Sequence, residues 1–138
     1  MAGETVLASE EYPDYFQVFS HSIDHNLIPN SSNRMTIMYV EPRAGNGSGI
    51  VIDSVTYGIA HEDATVTLNL FHAPTPQALT GTNIHSAPVS AAALGTVTTT
   101  INSSNNFVPA GSWINLVTNV NANQLHGSVT IRFRSRMK

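Results

Sequence analysis

The chain has no cysteine, which excludes disulfide staples and thiolate chemistry and leaves the redox compartment open. Charge is scarce as well: Asp, Glu, Lys and Arg make up 11% of the residues, and none of them occurs between Asp63 and Arg132. Every acidic side chain lies at or before Asp63, whereas Arg132, Arg134, Arg136 and Lys138 crowd the last seven positions. No apolar run approaches the roughly 20 residues that span a bilayer, and the start, MAGETVLASEEY, lacks the basic lead and apolar core of a secretion signal. The expectation is a soluble protein exported by no classical route. A free cytosolic enzyme keeps itself dispersed with mixed surface charge. A second half built on Thr, Ser, Asn and Ala suits burial against other protein, or is simply a neutral β surface.

Also missing is a helical period of useful length. What is present is alternation with a period of two, which puts apolar side chains on one face of a strand and polar ones on the other. Val66, Leu68 and Leu70 alternate with Thr65, Thr67 and Asn69, and Val55, Tyr57 and Ile59 make a matching row upstream. Joined by the short polar link HEDA, these two arms read as a β-hairpin, and Ala73–Thr82, with two prolines and a glycine, ends the second arm. Further strands are predicted over Arg34–Val40, Thr96–Ile101, Ser112–Val120 and Ser128–Arg136, with a short one over Tyr15–Phe19 and a helical turn over Ser90–Leu94. Arg34–Val40 (RMTIMYV) is apolar on both faces, as a strand between the core and a neighbouring subunit would be. Short strands separated by Gly, Pro, Asn and Ser turns imply an all-β fold, an antiparallel β-sandwich or jelly-roll-like domain. At 138 residues one domain suffices, and residues 29–138 are assigned to it. Residues 1–28 are read as an extended N-terminal arm that contacts a partner.

Candidate chemistry is thin. The run AGNGSG leads into a strand rather than a helix and has no lysine, so it lacks what a phosphate loop requires. Six histidines invite a metal reading, yet His21, Asp24 and His25 would share a face only on a helix, and His61, Glu62 and Asp63 fall in a polar link where charges are normally solvated. His72, His85 and His126 are single polar residues near turns. No HExxH pair and no GxSxG elbow occurs. We therefore expect no enzyme, metal or cofactor; a hydrolase centred on His61, Glu62 and Asp63 is the weakest of three readings. Overall acidity speaks against nucleic-acid binding despite the basic end IRFRSRMK. Arg132, Arg134 and Arg136 should share the outer face of the last strand while Phe133 enters the core, protecting an edge or docking on an acidic protein. Trp113, the only tryptophan, should face away from the core, toward a subunit contact or a sugar.

The succession VTLNLFHAPTPQALTGT, AAALGTV, INSSNNFVPAGSWINLVTN and LHGSVTIRFR, over roughly Ile50 to Arg134, resembles small β-sandwich structural proteins of tailed bacteriophages. In those proteins a strand ending in a P-x-G-x-x-L-x-x-G-T-like turn precedes an Ala-rich link, an L-x-x-G-D-x-L-x-L strand and a glycine-led final strand. Here Ser112 stands in place of the aspartate, and Trp113 where a small or basic residue is common. The resemblance implies a virion protein without catalysis: a capsid decoration (cement) protein, a homotrimer on the outer surface of the head whose partners are the major capsid protein and its own copies, with neither nucleic acid nor membrane involved. The alternative is a head-fibre or tail module that binds a receptor or carbohydrate. The candidate interface residues are Tyr15, Phe16, Phe19, Met35, Met38, Trp113, Arg132, Arg134 and Arg136.

Overall fold

The computed structural model describes residues 17–24, 34–42, 48–61, 66–78, 80–118 and 126–136. Ten strands follow one another: β1 (Gln17–Asp24), β2 (Arg34–Tyr39), β3 (Gly49–His61), β4 (Thr67–Ala73), β5 (Thr82–Asn83), β6 (Val89–Ser90), β7 (Gly95–Thr99), β8 (Phe107–Pro109), β9 (Trp113–Thr118) and β10 (His126–Arg136). They pair antiparallel into two five-stranded sheets. The first runs β1-β10-β3-β7 with β8 also on β3; the second runs β2-β9-β4-β5 with β6 also on β4. Their inner faces meet in a single core, so the chain is an all-β antiparallel sandwich. Among the described residues no helix is long and apolar enough to cross a membrane.

Alternation does the packing. Val55, Tyr57 and Ile59 of β3 and Val129, Ile131 and Phe133 of β10 line one side of the core, and Leu68 and Leu70 of β4 with Ile114 and Leu116 of β9 line the other; each is at most 6% exposed. A fully buried side chain of this kind stabilises the fold by about 1.5–3 kcal/mol relative to exposure. The core forms because the two inner rows read from the sequence face each other across the sandwich.

That arrangement corrects the hairpin expected between Ile50 and Thr82. β3 pairs with β10, β7 and β8, while β4 pairs with β9, β5 and β6. The chain therefore crosses from one sheet to the other after β3 instead of turning back beside it. The helical turn expected over Ser90–Leu94 is replaced by β6 and a bent connection. The arm expected over residues 1–28 is shortened as well: β1 pairs with β10 along its length, from Gln17 opposite Phe133 to Asp24 opposite His126, and Ile23 is 2% exposed. The described part of the sandwich thus includes residues 17–24 of that arm, and residues 1–16 lie outside the described residues. Finally, β10 is no edge. It lies between β1 and β3, and Arg132, opposite Val18 on one side and Ser54 on the other, does not guard a free strand edge, the described pairing with β1 ending at Phe133.

Candidate interface surfaces

The strand registers align the outward residues of the first sheet into rows. Ser20 of β1 stands opposite Thr130 of β10, Thr130 opposite Thr56 of β3, and Thr56 opposite Thr98 of β7. One repeat along the strands, Ser22, Ser128, Gly58 and Thr96 form the next row. Hydroxyls within the first row bond to one another, Ser20 Oγ to Thr130 Oγ1 at 2.9 Å and Thr56 Oγ1 to Thr98 Oγ1 at 3.2 Å. Hydroxyls that satisfy one another lose little when water is removed, because burying a polar group is costly mainly when it is left without a partner. Beyond the first row Arg132 Nε lies 3.7 Å from Asp53 Oδ2, both side chains remaining substantially exposed, and Arg134 follows on the same side. An exposed pair of this kind contributes little. The aliphatic Val18, opposite Arg132, is 65% exposed.

The outer face of the second sheet is finished differently. Asn115 points outward from β9 between the inward Ile114 and Leu116, yet it is fully buried. Its Oδ1 accepts from the Gln77 backbone N–H at 2.9 Å and from Thr36 Oγ1 at 3.1 Å, and its Nδ2 donates to the Thr75 carbonyl at 3.2 Å. Thr36 Oγ1 also accepts from the Gln77 N–H at 2.8 Å. These bonds draw the Thr75–Gln77 loop over the sheet and hold Gln77 at a left-handed φ of 54°, a conformation that a non-glycine residue keeps only when its surroundings over-determine it. At the end of this face, Tyr39 and Trp113 sit opposite each other on β2 and β9, with ring centroids 4.4 Å apart and planes tilted by 38°. Tyr39 is 39% exposed and Trp113 is half-buried.

A third polar cluster lies inside. His85, fully buried, bonds through Nε2 to the Tyr57 hydroxyl at 2.7 Å and through Nδ1 to Thr99 Oγ1 at 2.9 Å. Either tautomer is satisfied, since a hydroxyl can donate or accept. Burial lowers the imidazole from its usual range to about 4 and raises the Tyr57 phenol. His85 belongs to the segment that leaves β5 in one sheet and reaches β7 in the other. That segment is stitched down by an isolated bridge from His85 to Ile101 and by the bonds Ser86 N to Thr100 O and Asn102 N to Ile84 O. His85 is thus a neutral internal clamp between sheets.

The residues singled out from the sequence scatter over these surfaces. Trp113 faces outward as expected and stacks on Tyr39. Arg132 is exposed on the outer face of the first sheet, and Arg134, half-buried, lies on the same side. Met35 is 4% exposed and belongs to the core, and Phe19 and Met38 pack against it, so Met35 offers no surface to a partner. Tyr15, Phe16 and the side chain of Arg136 lie outside the described residues, as do His25, Glu62 and Asp63. The segment holding His21 and Asp24 is strand, so the helical spacing that grouped them does not exist. Among the described residues no cluster of three or more His, Asp or Glu could hold a metal. The hydroxyl rows, Asn115 and His85 were not singled out; their significance depends on register and on contacts distant in sequence.

No protein-family model and no curated protein sequence matches the chain. Its fold is similar to that of a chain in the cyanophage Pam1 capsid asymmetric unit, with a TM-score of 0.52 and 11% identity over 88% of this chain and 84% of that one.

Proposed function

We propose that this chain is a structural protein of a phage virion, a decoration (cement) protein that assembles as a trimer on the outer surface of the head and stabilises the shell by binding the major capsid protein. The observation that carries the reading is the fold it shares, over nearly its whole length, with a capsid component of a cyanophage. The outer face of the first sheet supports it: a surface whose hydroxyls bond one another can be covered by protein at small cost. Many modest contacts repeated over a lattice add through multivalency, because one protein held at several points rebinds before it can leave. Residues 1–16, which precede β1, are assigned the role of reaching onto neighbouring capsid subunits.

The test is co-sedimentation of the purified chain with heads that lack it. Saturable binding and a raised shell melting temperature are expected, with the truncation of residues 1–16 folding normally but binding more weakly. Absence of binding to heads at any concentration overturns the proposal. A second reading, a head-fibre or tail module for receptor carbohydrate, is favoured by the Tyr39–Trp113 pair, since tilted, accessible aromatic rings suit the apolar face of a sugar. Glycan binding that disappears in Trp113→Ala with the fold retained would select it.

A further inference from the structure

At one end of the hydroxyl-lined face, beside the second row, side chains give way to glycines. Gly58 of β3, Gly95 of β7 and Gly127 of β10 meet there, with Ser22, Thr96, His126 and Ser128 around them, and leave an open hollow of about 560 Å³. Two of these glycines are obligatory: a Cβ on Gly127 would come within 1.9 Å of the Gly58 carbonyl oxygen, and Gly95 holds a φ of +118°. Immediately before Gly95 stands Leu94, 62% exposed, at the tip of the uncharged connection Ala91-Ala92-Ala93-Leu94. A large aliphatic side chain in water and a hollow lined by no Asp, Glu, Lys or Arg thus lie side by side on one molecule.

We infer that the hollow receives Leu94 of a second copy of this chain, so that the hydroxyl-lined face of the β1-β10-β3-β7 sheet is its self-association surface. This rests on the self-association in the function proposed above and names the surface that would carry it. Charge selects the occupant. A face repels its own copy according to the charge it carries, and the two rows and the hollow hold no Asp, Glu, Lys or Arg, while at the margin Arg132 lies beside Asp53 and Arg134 falls on the same side beyond them. Shape agrees, because a knob and a hollow adjacent on one chain are satisfied together when a rotation axis passes near them, the condition for closed symmetry. Size sets the strength. The two rows span about 15 Å across four strands and lie about 7 Å apart along them, an area on the order of 100 Å² and far short of the roughly 800 Å² per partner of a stable interface, so the hydroxyl rows align the copies, Leu94 supplies most of the affinity, and association depends on concentration.

The experiment is analytical ultracentrifugation of the full chain over a concentration series, with Leu94→Asp, Gly58→Val and their equimolar mixture. Gly58 tolerates the substitution because a Cβ there approaches only the rotatable Ser128 Oγ, at 3.2 Å. Each variant alone should associate at least about tenfold more weakly than the parent, the effect of withdrawing one buried leucine, with unchanged thermal unfolding. The mixture should regain association, since one variant keeps the hollow and the other keeps the knob. A parent chain that stays monomeric throughout, a Leu94→Asp variant that associates like the parent, or a mixture that stays apart overturns the inference. Head binding is scored separately: a chain that self-associates through Leu94 but ignores heads sinks the virion reading and leaves this one standing.

Discussion

On the second sheet, Asn115 lies fully buried under the Thr75–Gln77 loop, while on the first sheet Thr98 stands exposed in a row where its hydroxyl bonds that of Thr56. One outer face has been closed by the chain itself through hydrogen bonds to a single amide. The other is finished so that it can be closed from outside without stranding polar groups. The difference teaches that a polar residue on the outside of a strand has two distinct uses, as an anchor for the chain's own loop or as a tile in a dehydration-tolerant face, and only its partners tell which.

The comparison can be broken most severely at the first sheet's centre. Gly127→Ala puts a Cβ against the backbone carbonyl of Gly58, a contact no rotamer change relieves, and should cost about 3 kcal/mol or more, measured as a lowered denaturation midpoint. Acid tests the clamp joining the two sheets. With the His85 imidazole held at about 4 in the folded state against about 6.5 unfolded, the unfolded chain binds the extra proton. Stability should therefore be full above pH 6.5 and fall by roughly 3 kcal/mol as pH drops toward 4, and His85→Gln should flatten that dependence in urea titrations. Asn115→Ala removes two of the loop's bonds to the second sheet and strands the Thr75 carbonyl, while the Gln77 N–H keeps Thr36 Oγ1; about 1–3 kcal/mol should be lost, with faster hydrogen exchange confined to Thr75–Gln77. Thr98→Ala, in the exposed row, should change stability by less than about 0.5 kcal/mol; a larger loss in unfolding experiments would mean that the row serves the fold rather than a partner.

Much of the core was legible because burial has a period. Val55, Tyr57 and Ile59 and the row Val66, Leu68 and Leu70 are inward where alternation places them, and Trp113 is outward for the same reason. Partnership was not legible. A short polar link between two amphipathic strands suits a hairpin and a crossing between sheets equally, since alternation marks the face of a strand and not its neighbour, and β3 and β4 belong to different sheets. The same limit applies to the candidate surface. Threonines at 56, 98 and 130 are ordinary β residues until register aligns them, and His85, in a stretch without period, gives no local hint that Tyr57 waits for it 28 positions upstream. Met35 illustrates the converse: a strand apolar on both faces suggested a subunit contact, and the bulge between Thr36 and Met38 accounts for the breakdown of clean alternation while Met35 and Ile37 both enter the core.

The place of β10 has a temporal meaning. Last of the described strands in the chain, it is the middle of the first sheet and the only bridge from β1 to β3, so during synthesis β1 must wait for nearly the whole chain to emerge before it can pair, a long-range closure of the kind that slows folding. Until that moment only the Thr56–Thr98 end of the aligned rows can form. A nascent or C-terminally clipped chain therefore offers only part of the mating surface, and the order of strands itself disfavours the entry of unfinished copies into any assembly.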